Sequence, residues 1–361
     1  MIESGKRNSN IEVLRIISML MIVAGHFAGQ GGIKEQAAGG ISKIILFVLG
    51  SGQRVAINIF LLISVWFLVE QQFKATRLIR VWGEVFFYTV SLTICLMMFG
   101  HPVSLKELVK SFLPFLGRPL WFASAYIALI MLTPFLNNIY RKFTKRQLKA
   151  MVVVLGLITC VLPTVASEMD TYLCAIAWFV FVYFLVAYFK KYFKGIQVNG
   201  MVCIFAGIIL YLAMSCFAGV CVESSALVAA QHLAERFLHD FKSIPNFLCA
   251  FLIFYGVILM KERKSKMINE LAAGSFAVYI VHQTPAFYPV LWKTLTDTGL
   301  YRGKQLIPIF IVTVFMLYIL ISCLDIVRRR FIEPKILKNR MLDRLCSRIE
   351  NFYAMKEESY D

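Results

Sequence analysis

An all-α, polytopic membrane protein is the fold class this sequence predicts, and three observations carry the prediction. Hydrophobic residues make up 59% of the 361 positions, with a mean hydropathy of +0.71. Only 16% of residues are charged, against roughly 25% in an ordinary soluble domain. The apolar residues gather into runs of about 20, the length a helix needs to cross the hydrocarbon layer. They do not show the alternation that marks the strands of a membrane barrel.

Ten segments qualify as spans: 11–29, 53–70, 81–99, 120–139, 150–167, 171–189, 200–220, 244–260, 272–292 and 305–327. Prolines inside them, such as Pro285 and Pro308, are tolerated when neighbouring helices satisfy the freed backbone groups. Between the segments the cations alternate. Lys6/Arg7, Lys74/Arg77/Arg80, Arg141 to Lys149, Lys190/Lys191/Lys194, Lys261 to Lys266 and the tail from Arg328 fall on one side. The other side carries few. Positive residues favour the cytoplasm, so both termini are expected there, in agreement with an even number of spans. Two outer connections are longer than turns. Residues 100–119 contain a short helix from about Ser104 to Phe112, ended by Pro114, and 221–243 can form an amphipathic helix with Leu227, Leu233, Phe237 and Phe241. Residues 1–330 read as one membrane domain and 331–361 as a charged cytoplasmic extension.

The net charge of +17 follows the membrane rule and does not form a nucleic-acid footprint. The nine cysteines form no C-x-x-C pair and lie mostly in apolar runs, where they act as small hydrophobes. The first segment is no cleaved signal peptide, because Glu12, Arg15 and His26 interrupt it.

Those same residues carry the chemistry. Arg15 and His26 stand eleven residues apart in one membrane-length apolar run, about three helical turns, which puts them on nearly one face some ~16 Å apart along the axis. Ionisable groups inside a span mark function by default. Neutral imidazole can take a proton from a hydroxyl, and guanidinium suits phosphate and carboxylate. The structural alternative has His26 bonded to another helix and Arg15 paired with Glu12 three residues earlier.

From Ile11-Glu12-Val13-Leu14-Arg15 through Gly25-His26, the opening helix resembles that of acyltransferase family 3, a family of integral-membrane acyltransferases. Further matches follow in order. They are Phe60-Leu61-Leu62-Ile63-Ser64, Arg77-x-x-Arg80, Pro119-Leu120-Trp121-Phe122 through Tyr126, Thr133-Pro134-Phe135-Leu136, Ser275 to His282, and Glu333-Pro334. Val65 and Ala277 stand where the family usually has Gly, which implies different local helix packing. The soluble esterase-like domain of some members is missing. The resemblance spans roughly 10–335. It implies an O-acyltransferase of the bacterial cytoplasmic membrane that moves an acyl group, acetyl foremost, from acyl-CoA (acetyl-CoA) to a hydroxyl of a cell-surface polysaccharide or its lipid-linked saccharide precursor.

On that resemblance, His26 is the general base, Arg15 with Glu12 orients the site or holds donor phosphate, and Arg77 and Arg80, assisted by Lys74, bind CoA phosphates. Without it, the arginine pair reads as positive-inside anchoring. His282 is either an interhelical hydrogen-bond partner or part of the site. Arg54 either contacts the acceptor or snorkels to the surface. Trp121, Tyr126 and Trp292 either stack on a sugar or anchor the interface. His232, Glu235 and His239 share a helical face but lack a known zinc spacing, so no metal is expected. A G-x-S-x-G elbow, Walker loop or dinucleotide fingerprint is absent. The competing reading is a transporter or glycan exporter with His26 as proton relay, although the sequence shows no inverted repeat. A third reading, a structural subunit of a glycan-synthesis complex, makes His26 dispensable.

Overall fold

The computed structural model describes residues 7–33, 40–114, 120–165, 175–193, 198–223, 240–296, 305–337 and 339–353. These form helices throughout. Eight are long and apolar enough to span a membrane.

Helix α1 (Ser9–Gln30) is the hub of the bundle. Asn8 caps it, accepting from the backbone N–H of Asn10 at 3.0 Å. Ser9 Oγ donates to Asn269 Oδ1 (2.9 Å) and accepts from the Ser265 N–H (2.7 Å), so the start of the first helix is pinned to a late segment. Next come α2 (Ile41–Ser51) and α3 (Gln53–Leu68), which together make one 28-residue apolar helix. The expected start at 53 is therefore too late. Gly52 lies against Met21 and Tyr211, which hides a helical junction inside what reads as a turn.

Helix α4 (Ala75–Met98) leaves through Gly100 to α5 (Leu105–Phe112). Ser104 and Glu107 form a reciprocal capping box on α5, which agrees with the expected short helix. Helix α6 (Trp121–Lys142) keeps Pro134 inside it. One residue earlier, the Thr133 hydroxyl donates to the Leu129 carbonyl at 2.9 Å, a local adjustment typical of membrane helices. Helix α7 (Lys145–Val165) contains a π turn at Leu157–Val161, just ahead of Pro163. Then follow α8 (Ala175–Tyr192), α9 (Gly200–Glu223) and α10 (Ile244–Leu259).

The expected eighth and ninth segments need correction. Helix α10 is only 16 residues long, about 24 Å at ~1.5 Å per residue, shorter than a full span. The segment expected at 272–292 is broken into α11 (Lys266–Ala273), α12 (Ser275–Gln283) and α13 (Tyr288–Thr296). Pro285 sits in the gap between α12 and α13 and not inside a helix. A residue preceding proline is pushed out of the helical region, and Thr284 accordingly has ψ 125°. The bend between α11 and α12 is held by Tyr318, whose hydroxyl contacts Ser275 Oγ (2.9 Å) and donates to the Leu271 carbonyl (3.1 Å).

The last span, α14 (Leu306–Leu337), passes through a second π turn at Arg328–Ile332, just ahead of Pro334. It runs without interruption through 330/331, where the tail was expected to begin. A short amphipathic helix, α15 (Arg340–Tyr353), then docks beside α4: Tyr353 packs on Phe73 with ring centroids 4.5 Å apart, and Glu350 Oε1 accepts from the Ala75 N–H at 2.8 Å.

Candidate active site

His26 lies near the end of α1. Gly25 packs directly on the Gln53 side chain, where a Cβ would collide. Across from α1, α12 terminates one residue after His282. The two rings meet: His26 Nδ1 lies 2.9 Å from His282 Nε2, with ring centroids 5.1 Å apart. His282 Nδ1 lies 2.5 Å from the carbonyl of Val278. A carbonyl only accepts, so His282 Nδ1 carries the proton. In the neutral ring Nε2 is then the acceptor, and His26 Nδ1–H donates to it. The lone pair of the pair is left on His26 Nε2.

That ring lines a cavity of about 30 Å³ whose other walls include Ile57, Phe60, Trp121, Phe122 and Tyr279. His26 therefore borders a space walled by α1, α3, α6 and α12. Behind the pair the packing is dense. Phe27 stacks between Trp292 and Phe310, at 5.1 and 5.2 Å. Gln283 Nε2 donates to Gln30 Oε1 at 3.0 Å, and Trp292 Nε1 donates to the same oxygen at 3.2 Å.

Arg15 occupies the other end of the α1 face. Its guanidinium donates to Glu12 Oε2 at 2.9 Å, and Arg7 stands 4.0 Å from Glu12 Oε1. Glu12 itself is 2% exposed. Arg15 on α1 and Arg77 on α4 both lie within electrostatic range of Tyr126. Tyr126 thus sits with the arginines, although its position in sequence suggests the outer boundary. Lys74 is exposed just ahead of α4. Arg80 is turned to a different partner, with its Nε 2.9 Å from Glu333 Oε1. Arg54, at the start of α3, lies within electrostatic range of His26 and Asp240. Trp121 stacks on Phe241 at 5.2 Å while also walling the His26 cavity.

The structure thus brings together His26 and His282, and separately Glu12, Arg15, Tyr126 and Arg77. Arg80 stands apart. Pro119 and the His232, Glu235 and His239 series lie outside the described residues, among which no group of three or more potential metal ligands gathers. Residue-type reasoning missed Gln30 and Gln283, and it did not foresee that Trp292 packs behind the histidine pair. The only available signal was that Gln30 lies one helical turn beyond His26 and that Gln283 adjoins His282.

Fold and site define a multi-helix integral-membrane protein with a paired-imidazole centre inside the bundle and an arginine group toward one end. The acyltransferase 3 family model, described as an acyltransferase domain, matches residues 8–328. The chain belongs to this family and is a membrane-embedded acyltransferase. No curated protein and no solved structure matches it.

Proposed function

We propose that the protein transfers a short acyl group, acetyl foremost, from acyl-CoA to a hydroxyl of a cell-surface polysaccharide or its lipid-linked precursor, in a bacterial cytoplasmic membrane. The observation that carries this is the tautomer chain Val278 carbonyl–His282–His26, which leaves the basic nitrogen on His26, a residue lining a small cavity. About 30 Å³ exceeds the roughly 10–15 Å³ that one water requires. It falls well short of the roughly 300 Å³ where pockets for larger ligands begin. A small group such as a two-carbon acyl suits that space.

In the proposed reaction, His26 Nε2 takes the proton of the acceptor hydroxyl as its oxygen attacks the thioester carbonyl. His282 holds the ring in the required tautomer and accepts the hydrogen bond from Nδ1–H, which strengthens as the imidazolium forms. When the tetrahedral intermediate collapses, the C–S bond breaks and the CoA sulfur leaves, receiving the proton from His26. The thioester is already activated, so the balance needs no further reactant. Arg15, oriented by Glu12, and Arg77 offer guanidinium groups to the donor's phosphates, with Lys74 as a point charge beside them. Arg80 takes less part, since Glu333 engages it. Arg54 and Trp121 serve the acceptor side.

Comparing masses of surface glycans from cells with and without the gene tests the substrate. A difference of one acetyl group per repeat is expected. Unchanged glycans, with no CoA released by the purified protein in detergent, would overturn the proposal. Transport requires a sealed compartment and acyl transfer does not, so activity in detergent also separates the two classes.

A further inference from the structure

A second site lies on the outer wall of the bundle. An open groove of about 400 Å³ runs between α4 and the end of α14, with α15 closing one end. It shares no lining residue with the His26 cavity. Its walls are apolar, including Trp82, Phe86, Val90, Ile332, Ile336 and Leu342. From Arg80 to Ser91 it follows α4 for about 16 Å at ~1.5 Å per residue. Both helices are long and apolar enough to span a membrane, and Trp82, which lines the groove, is 44% exposed. The apolar length of this groove therefore meets bilayer lipid.

Its polar end is unevenly compensated. Arg328 serves three carboxylates at once: Asp325 (2.7 Å), Glu333 (3.3 Å) and Glu84 (3.4 Å). Asp325 has a second arginine in Arg329 at 2.8 Å, and Glu333 has one in Arg80 at 2.9 Å. Glu84 makes no second ion pair among the described residues, and its Oε1 is buried without a hydrogen-bond partner among them. A buried carboxylate oxygen left unpaired carries its desolvation penalty uncompensated. Glu84 lines the groove, and its side chain is 11% exposed. Arg80, 44% exposed, stands at the same end.

We propose that this groove is a binding site for an aminophospholipid such as phosphatidylethanolamine. One acyl chain lies along α4, the primary ammonium donates to Glu84 Oε1, and the phosphate meets Arg80. The ligand needs both charges. A purely anionic headgroup leaves Glu84 uncompensated, and a quaternary ammonium has no N–H to donate.

The test uses the full-length protein reconstituted in an equal mixture of phosphatidylethanolamine, phosphatidylglycerol and phosphatidylcholine with identical chains. The protein is re-extracted, washed with detergent, and its retained lipid counted by mass spectrometry. At least a threefold enrichment of phosphatidylethanolamine over both others is expected, falling to parity in Glu84→Gln. Val90→Trp fills the apolar wall without touching any ion pair and should lower retention of that lipid severalfold. Equal retention of the three lipids by the unaltered protein would overturn the proposal whether or not any variant folds. So would a preference for phosphatidylglycerol, an unchanged preference in Glu84→Gln, or displacement of the lipid by long-chain acyl-CoA, which would assign the groove to the donor. None of these readouts depends on acyl transfer, so failure here leaves the reading of the His26 site standing.

Discussion

At the residue scale, the two imidazoles have different jobs, and their variants should separate. His26 holds the basic nitrogen, so His26→Ala and His26→Gln should each lower acyl transfer by about 10²–10⁴-fold, with the protein still folded and at normal abundance. Retained turnover in either variant would remove His26 from its assigned role. His282 touches no substrate in the proposed scheme; it fixes the tautomer of His26 through the Val278 carbonyl. His282→Ala should therefore reduce kcat at least about tenfold while leaving the KM for acyl-CoA near its original value. A change confined to KM would show that His282 acts on donor binding instead. Gln283 belongs to the support. Gln283→Ala removes the hydrogen bond that the buried Gln283 amide donates to Gln30, a loss of about 1 kcal/mol, readable as a lower melting temperature in detergent.

At the scale of elements, close contact between helices depends on glycine where backbones meet. Gly200 on α9 and Gly256 on α10 face each other, and a Cβ on either would strike the other's carbonyl oxygen. Interfaces of small residues are how membrane helices approach without a hydrophobic drive. Gly256→Ala should destabilise by about 1–3 kcal/mol, as overpacking does elsewhere. A melting temperature equal to that of the unaltered protein would show that the pair can part freely. The start of α4 illustrates a different dependence. Lys74 supplies no side-chain cap there, and the Ala75 N–H is taken by Glu350, 275 residues away. Helix α15 thereby caps the helix that carries Arg77. Glu350→Ala should weaken the protein by about 1 kcal/mol, the usual value of a lost cap, and increase amide exchange at 75–78. Unaltered exchange there would show that α15 is not needed to hold α4.

At the scale of the whole molecule, charge and hydrogen bonds divide the labour. The lysines and arginines at one end of the bundle predict that both termini face the cytoplasm. A C-terminal fluorescent reporter that matures only in the cytoplasm should therefore be bright, and a periplasmic phosphatase fused at the same point inactive. The reverse pattern would invert the membrane orientation and with it the side from which CoA enters. Polar pins between distant segments then close the bundle. They include Ser9 with Asn269, Asn58 with Trp178 and the Phe241 carbonyl, and Asn137 with Tyr183 and the Gln71 carbonyl. Each places a buried amide where hydrocarbon offers it no alternative partner.

What the sequence determined by itself is what depends on local length, period and charge: an all-helical membrane protein, the capped helix after Ser104, the Glu12–Arg15 pair, and a base and a cation on one face of the first helix. These follow from spacing along one chain segment, and spacing survives folding. Tertiary structure alone decided that His26 and His282, 256 residues apart, share a hydrogen bond, that Tyr126 lies under the field of Arg15 and Arg77, and that Arg80 is drawn off to Glu333. It also decided that the segment around Pro285 breaks where a continuous span was expected. Hydropathy measures how much apolar surface a segment carries but not which neighbours it meets. In hydrocarbon, where apolar faces are nearly interchangeable, the partners of a few polar groups settle how the helices are arranged.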